Sequence, residues 1–231
     1  MPSAEPRFDV AVVGGGLIGA VAALAAAFSG RQVALIEQSA PASDIGPEAV
    51  LGLDLRTVAL APAAWALLEG LGIGSRLTAT PYVGMRVCDA RGTAVLAFDA
   101  TSADAPCLGY MLENGPTLQS LWSVLDGHPG ITLVHGAPLG AVSVAADRVH
   151  LTAGARTLDA RLVLAADGAQ SRVRSALAQT ARVDETGHHA LATVVRTELP
   201  HEGIAWQVFQ PEGPVALLPT RLAHCVSVVW S

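Results

Sequence analysis

Three groups of residues have types and spacings that can do chemistry. The first is Gly14-Gly15-Gly16-Leu17-Ile18-Gly19. Glycine at the first position permits a tight turn. At the third it lets a diphosphate reach the backbone, and at the sixth it lets a helix lie close to a strand. A helix opening at this point offers unpaired N–H groups and the positive end of its dipole to an anion. Glu37 follows about 20 residues on, where a carboxylate can bond the hydroxyls of a ribose. It would repel a ribose 2′-phosphate, which argues against NADP but does not separate NAD from FAD. The second group is Asp167-Gly168, within the run Leu162 to Arg174. An apolar strand brings an acceptor and an unencumbered glycine to its carboxyl end, where ligands sit in open α/β sheets. The same pair also reads as a plain helix N-cap. The third group is Arg56-Thr57 with Ala59-Leu60. Arg56 reads as a phosphate or flavin contact or as a solvated charge.

The elements that must position these residues are legible in the periodicity. Phe8 to Val13 is a short apolar run ended by glycines, a buried strand. Leu17 to Phe28 is an alanine-rich helix closed by Ser29-Gly30. Gln32 to Glu37 is a second strand, and the three form a βαβ unit with a parallel sheet. Gln38 to Leu55, with Pro41, Gly46, Pro47 and Gly52, reads as a long loop. A helix follows over Ala61 to Leu71, with Trp65, Leu68 and Leu71 on one face. Tyr82 to Asp89 and Ala94 to Phe98 form a hairpin turned at Ala90-Arg91-Gly92. Gly115 to Leu125 is helical, with Leu118, Leu121, Trp122 and Leu125 spaced for one face. Ile131 to Val134 is a strand. Val142 to Val144, Val149 to Thr152 and Arg156 to Leu158 form an antiparallel meander. Leu162 to Ala166 is a further strand, leading to a helix over Ser171 to Ala178. Strands then occupy Leu191 to Thr197, Ala205 to Phe209, Val215 to Leu218 and Cys225 to Trp230.

Hairpins interrupt the α/β order, so the fold class is α/β with a Rossmann-type βαβ domain interleaved with an antiparallel sheet (α+β). The expected division assigns 1–80 and 114–182 to the dinucleotide-binding domain, and 81–113 and 183–231 to the second sheet.

Composition narrows the function. Of 231 residues 51% are hydrophobic and 15% charged, a core-forming balance. The net charge of -6, with no basic block, argues against nucleic acid as a partner. Cys88, Cys107 and Cys225 show no CxxC spacing and read as reduced thiols of a cytoplasmic protein. Val10 to Phe28 is apolar enough to resemble a membrane span, but glycines break it and its flank lacks a signal peptide's basic start. His188-His189 on a strand would point to opposite faces, and the other histidines have no metal-ligand spacing, so no metal is expected.

The three motifs, in this order, resemble the flavoprotein aromatic hydroxylases, and more narrowly the ubiquinone-biosynthesis hydroxylases. The stretch at Arg56 is similar to that family's "R-T-x-A-L", and Asp167 to Arg174 to its "A-D-G-x-x-S-x-V-R". Glu113-Asn114 followed by Gln119 resembles its "E-N-R…-Q". Leu217-Leu218-Pro219 to Val229-Trp230-Ser231 resembles its "L-L-P…-V-W-S". The resemblance spans nearly the whole chain. It departs at Gly115, where the family has arginine. The family pattern also continues past Ser231 to a "G-D-A-A-H" segment that contacts FAD, and FAD is expected to bind less tightly without it.

The resemblance implies an FAD-dependent monooxygenase that uses NAD(P)H and O2 to hydroxylate a polyprenylated phenol in ubiquinone biosynthesis. It implies a cytoplasmic protein with a peripheral contact to the inner membrane or to a biosynthetic complex. Gly14, Gly16, Gly19 and Glu37 are expected at the ADP half of FAD. Arg56, Gln119, Asp167 and Gly168 are expected at its flavin or diphosphate side. No side chain stands out as a catalytic acid or base. Two other readings fit parts of the sequence: an NAD-dependent Rossmann dehydrogenase, and a flavin-binding remnant without activity.

Overall fold

The computed structural model describes residues 7–39, 49–92 and 94–231. In chain order it runs β1 (Arg7–Val13), α1 (Leu17–Phe28), β2 (Val33–Glu37), β3 (Thr57–Leu60), α2 (Pro62–Gly70), β4 (Ala79–Tyr82), β5 (Gly84–Asp89), β6 (Val95–Asp99) and β7 (Gly109–Glu113). It continues with α3 (Asn114–Asp126), β8 (Ile131–His135), β9 (Leu139–Val144), β10 (Val149–Ala153), β11 (Arg156–Ala165) and α4 (Arg172–Ala176). The last strands are β12 (Leu191–Arg196), β13 (Ile204–Gln210), β14 (Gly213–Pro219) and β15 (Cys225–Trp230). Part of the expected loop Gln38 to Leu55, residues 40–48, lies outside the described residues.

The chain divides into two compact units. The first is Met1–Ser43 with Leu118–Asp184, and the second is Asp44–Thr117 with Glu185–Ser231. This differs from the expected division over residues 49–80 and 114–117, which fall in the second unit, where β3 pairs with β7.

The first unit is a six-stranded sheet in the order β8-β2-β1-β11-β10-β9. Its central strand, β1, is buried on both faces from Val10 to Val13, and reads as a continuous apolar run for that reason. It pairs in parallel with β2 and with β11. One face of the sheet is closed by a cluster containing Ala11, Val13, Ile36, Leu151, Leu158 and Val173. α1 buries Gly19, Ala20, Ala23, Leu24 and Ala27, a stripe small enough to let the helix lie close to the sheet. The apolar opening of the chain is thus a strand, a turn and a 12-residue helix. Among the described residues no helix is long and apolar enough to cross a membrane.

Arg156–Leu158 and Leu162–Ala166, expected as two strands, are one. β11 pairs antiparallel with β10 at its start and parallel with β1 from Asp159 to Ala165. Asp159, which breaks the apolar pattern, is accommodated because it accepts a hydrogen bond from Arg148 and pairs with His150 Nδ1 at 2.5 Å.

The second unit holds a six-stranded sheet, β12-β15-β14-β13-β5-β6, and a three-stranded one, β3-β7-β4. The larger sheet is antiparallel except for β13 and β5, which are parallel, and this corrects the all-antiparallel expectation. The hairpin β5–β6 forms as expected. The smaller sheet has no counterpart in the sequence reading. α2 presents Trp65 to Tyr110 of β7, the rings stacked with centroids 4.6 Å apart. His188 and His189 precede β12 in an irregular segment rather than on a strand, and among the described residues no cluster could hold a metal.

Candidate functional site

The glycine turn joins β1 to α1 at the carboxyl end of the first unit's sheet. Gly14 has φ +99°, a left-handed conformation that only glycine adopts without strain. A Cβ there would lie 2.3 Å from the carbonyl oxygen of Ala166. Gly19 is packed more tightly still, since a Cβ on it would lie 1.8 Å from the carbonyl oxygen of Gly14. Gly16 is the reverse case: it is exposed, and a Cβ would meet nothing within 4 Å. The first and last glycines hold the turn against β11 and α1, and the third leaves space beside the backbone.

That space is a cavity of about 430 Å³. Gly14, Gly16, Glu37, Asp167 and Gly168, all predicted site residues, line it together with Gln38, Gln170, Leu139 and Arg172. Gly19 lies behind the turn and acts through packing. The cavity is therefore built from the ends of β1, β2 and β11, where a parallel sheet leaves its crevice.

The groups around this cavity suit an anion. α1 begins at Gly16 with no side-chain cap and no acidic residue in its first turn, so its leading N–H groups have no intrahelical partner. α4 is the contrast, because its leading N–H groups are already taken. Ser171 accepts from Arg174 N, and Asp167 Oδ2 accepts from Arg172 N at 2.6 Å and Val173 N at 3.2 Å. Only α1 of this pair has its leading turn open to a diphosphate.

Ser171 is the N-cap residue of α4, and Asp167 supports the same helix end through one of its two oxygens. The other, Oδ1, is buried without a partner and would accept from a ligand hydroxyl or N–H. Burial alone would raise its pKa, but hydrogen bonds from the Ser171 hydroxyl and from the Val173 and Arg172 amides outweigh this and hold it below the ordinary 3.8. A depressed folded value means that the stabilisation is present above the unfolded pKa and is lost as pH falls through the folded one. Asp167→Asn is therefore expected to cost about 1 kcal/mol at neutral pH. The difference in urea midpoint between the two proteins should hold down to about pH 4 and narrow below it. An unchanged difference at pH 3 would contradict the assignment.

Glu37 is half-buried and holds the turn directly. Its Oε2 accepts from Gly15 N at 2.5 Å and its Oε1 from Ser39 N at 3.1 Å. Trp122 of α3, read from the sequence only as a core residue, donates its indole N–H to Gly15 O at 2.8 Å. Arg172 also escaped the sequence reading, although it stands in the Asp167 segment. Its guanidinium bonds Leu139 O at 3.1 Å and brings positive charge to the cavity wall.

Arg56 and Gln119 do not line this cavity. Gln119 is exposed on α3. Arg56 belongs to the second unit, exposed at its side chain and fixed at its backbone. Its N–H donates to Asp54 Oδ1, and its carbonyl accepts from Asn114 N, both at 2.9 Å. Asp54, buried, also accepts from Gly115 N at 2.6 Å and donates its own N–H to Glu113 Oε2 at 2.9 Å. Glu113 Oε1 accepts from Arg221 Nε at 2.9 Å. A Cβ at Gly115 would lie 2.9 Å from Asp54 Oδ2.

A glycine turn held against two parallel strands, an uncapped helix N-terminus and a carboxylate one strand away define a Rossmann-type dinucleotide-binding fold. The chain belongs to the FAD-binding-domain family, which it matches over residues 7–231, and its cofactor is FAD. It is 34% identical over 226 residues to 3-demethoxyubiquinol 3-hydroxylase of Escherichia coli, covering 96% of this chain and 56% of that protein. It is 35% identical over 234 residues to ubiquinone hydroxylase UbiL of Rhodospirillum rubrum, covering 99% and 53%. Its fold matches that of p-nitrophenol 4-monooxygenase PnpA of Pseudomonas putida with a TM-score of 0.78, at 21% identity, over 98% of this chain and 58% of that one. The chain spans about half the length of the curated relatives it matches.

Proposed function

We propose that this chain is the cofactor-binding part of an FAD-dependent aromatic hydroxylase. In this reading it hydroxylates the ring of a polyprenylated phenol in ubiquinone biosynthesis, with NAD(P)H and O2 as co-substrates. The observation that carries the reading is similarity to two ubiquinone hydroxylases along essentially the whole chain, including the segments that build the cavity. A substrate with a polyprenyl tail also favours a peripheral contact with the membrane.

Within the site, the α1 N-terminus with Gly14 and Gly16 would hold the diphosphate. Glu37 would hold the adenosine ribose, and Asp167 Oδ1, with Gly168 beside it, would accept from a cofactor hydroxyl. The buried, unpartnered Oδ1 and the open space at Gly16 support this fit. Arg56 and Gln119 are assigned to the flavin side. When bound, the flavin supplies the redox chemistry of hydride acceptance and oxygen activation, and the protein binds, orients and shields it.

The test is expression of the gene, through to its stop codon, in E. coli lacking its 3-demethoxyubiquinol 3-hydroxylase. Purified protein should be yellow, and mass spectrometry of lipid extracts should show ubiquinone restored at the expense of a less hydroxylated precursor. Folded, flavin-loaded protein with every precursor left in place would overturn the hydroxylase reading. A colourless protein that binds NAD would favour a dehydrogenase.

A further inference from the structure

The middle glycine of the turn is held at both its polar atoms by side chains from two different elements. Its N–H donates to Glu37 of β2, and its carbonyl accepts the indole N–H of Trp122 from α3. The Trp122 ring lies directly on the turn, since a Cβ at Gly15 would be 2.5 Å from its Cζ2. The indole is 7% exposed, and the His135 ring meets it edge-on at 6.4 Å.

The carbonyl that Trp122 holds belongs to the same peptide unit as the N–H of Gly16. In a planar trans peptide the C=O and N–H point in opposite directions. Fixing the carbonyl on the buried, indole side therefore turns the Gly16 N–H to the other side. Gly15 is buried and Gly16 is exposed and lines the cavity, so that other side is the ligand's. Were this peptide to flip, a carbonyl oxygen would face the bound anion instead of a donor. A glycine-glycine peptide has little steric resistance to such a flip.

We propose that Trp122 is a positioning residue for the FAD diphosphate, its indole N–H locking the Gly15–Gly16 peptide with the Gly16 N–H toward the phosphates. The inference rests on the reading that this cavity takes the cofactor's diphosphate. It assigns to α3 a part in binding that its apolar face alone would not require.

The experiment is calorimetric titration of the wild-type chain and of Trp122→Phe with ADP and with adenosine. Phenylalanine keeps an aromatic ring but removes the donor. ADP should bind the variant about tenfold more weakly, the scale of one lost hydrogen bond. Adenosine, which has no phosphate, should bind both proteins alike. Equal weakening of both ligands would make the indole a packing residue and overturn the proposal, as would no change in either. If wild type itself bound neither ADP nor FAD, the reading of the cavity would fail first, and visibly so. Should Trp122→Phe not fold, 3-benzothienylalanine at position 122 retains the indole shape without its N–H and decides by the same comparison.

Discussion

Gly19→Ala is expected to lose about 3 kcal/mol of stability or more and, with it, measurable FAD binding. The added methyl would fall 1.8 Å from the Gly14 carbonyl oxygen and 2.9 Å from its carbon, with Ala166 Cβ behind at 3.3 Å. Relief by side-chain rotation is impossible, because the nearest atoms are backbone. Gly14 is itself held in place, because the site of its absent Cβ is filled by the Ala166 carbonyl and its N–H is bonded to Ile36 O at 2.8 Å. The helix must therefore lift away from the turn. That movement opens the β1–α1 packing and displaces the N–H groups that face the cavity. A loss of this size is a large part of a domain's ordinary 5–15 kcal/mol. Urea titration followed by flavin fluorescence would read both effects. A variant with the wild-type midpoint and wild-type affinity would show that α1 does not depend on this contact.

The first unit was the most legible part of the chain. β1 and β2 are buried on both faces, so they appear in the sequence as unbroken apolar runs, and the helix between them carries a stripe of small buried residues. β11 was less legible, because Asp159 and Arg161 interrupt its pattern. The interruption disappears once His150 and Arg148 are seen to satisfy Asp159 from neighbouring positions. β3, β4 and β7 left weaker marks. β3 and β4 have four residues each, and Pro81 in β4 argues against a strand unless it is at an edge, which is where β4 lies. The parallel pairing of β13 with β5 joins segments more than a hundred residues apart, and no local pattern encodes it.

The site was legible where it is made of backbone and less so where it depends on side-chain direction. Gly14, Gly16, Glu37, Asp167 and Gly168 were identifiable by spacing, and the fold brings them to one cavity. Trp122 was identifiable only as an apolar helix position, since periodicity reports which face a residue occupies and not where its N–H points. The split duty of Asp167, one oxygen on α4 and one unpartnered, also needed the fold. Gly115 donates its N–H to Asp54, a residue 61 positions away, which no local pattern encodes.

The central claim is that the glycine turn and the Glu37 carboxylate together grip the adenosine end of the cofactor. Glu37→Ala would remove the acceptor of the buried Gly15 N–H and the group assigned to the ribose in one step. Loss of a charged hydrogen-bonding partner costs about 2–3 kcal/mol, so ADP should bind roughly 30- to 150-fold more weakly. Glu37→Gln keeps an acceptor for Gly15 and should fall between the two. ADP affinity of Glu37→Ala beside wild type is the most direct measurement. A drop of that size in a protein that melts as a folded domain is the predicted result, and an affinity equal to wild type would contradict the account.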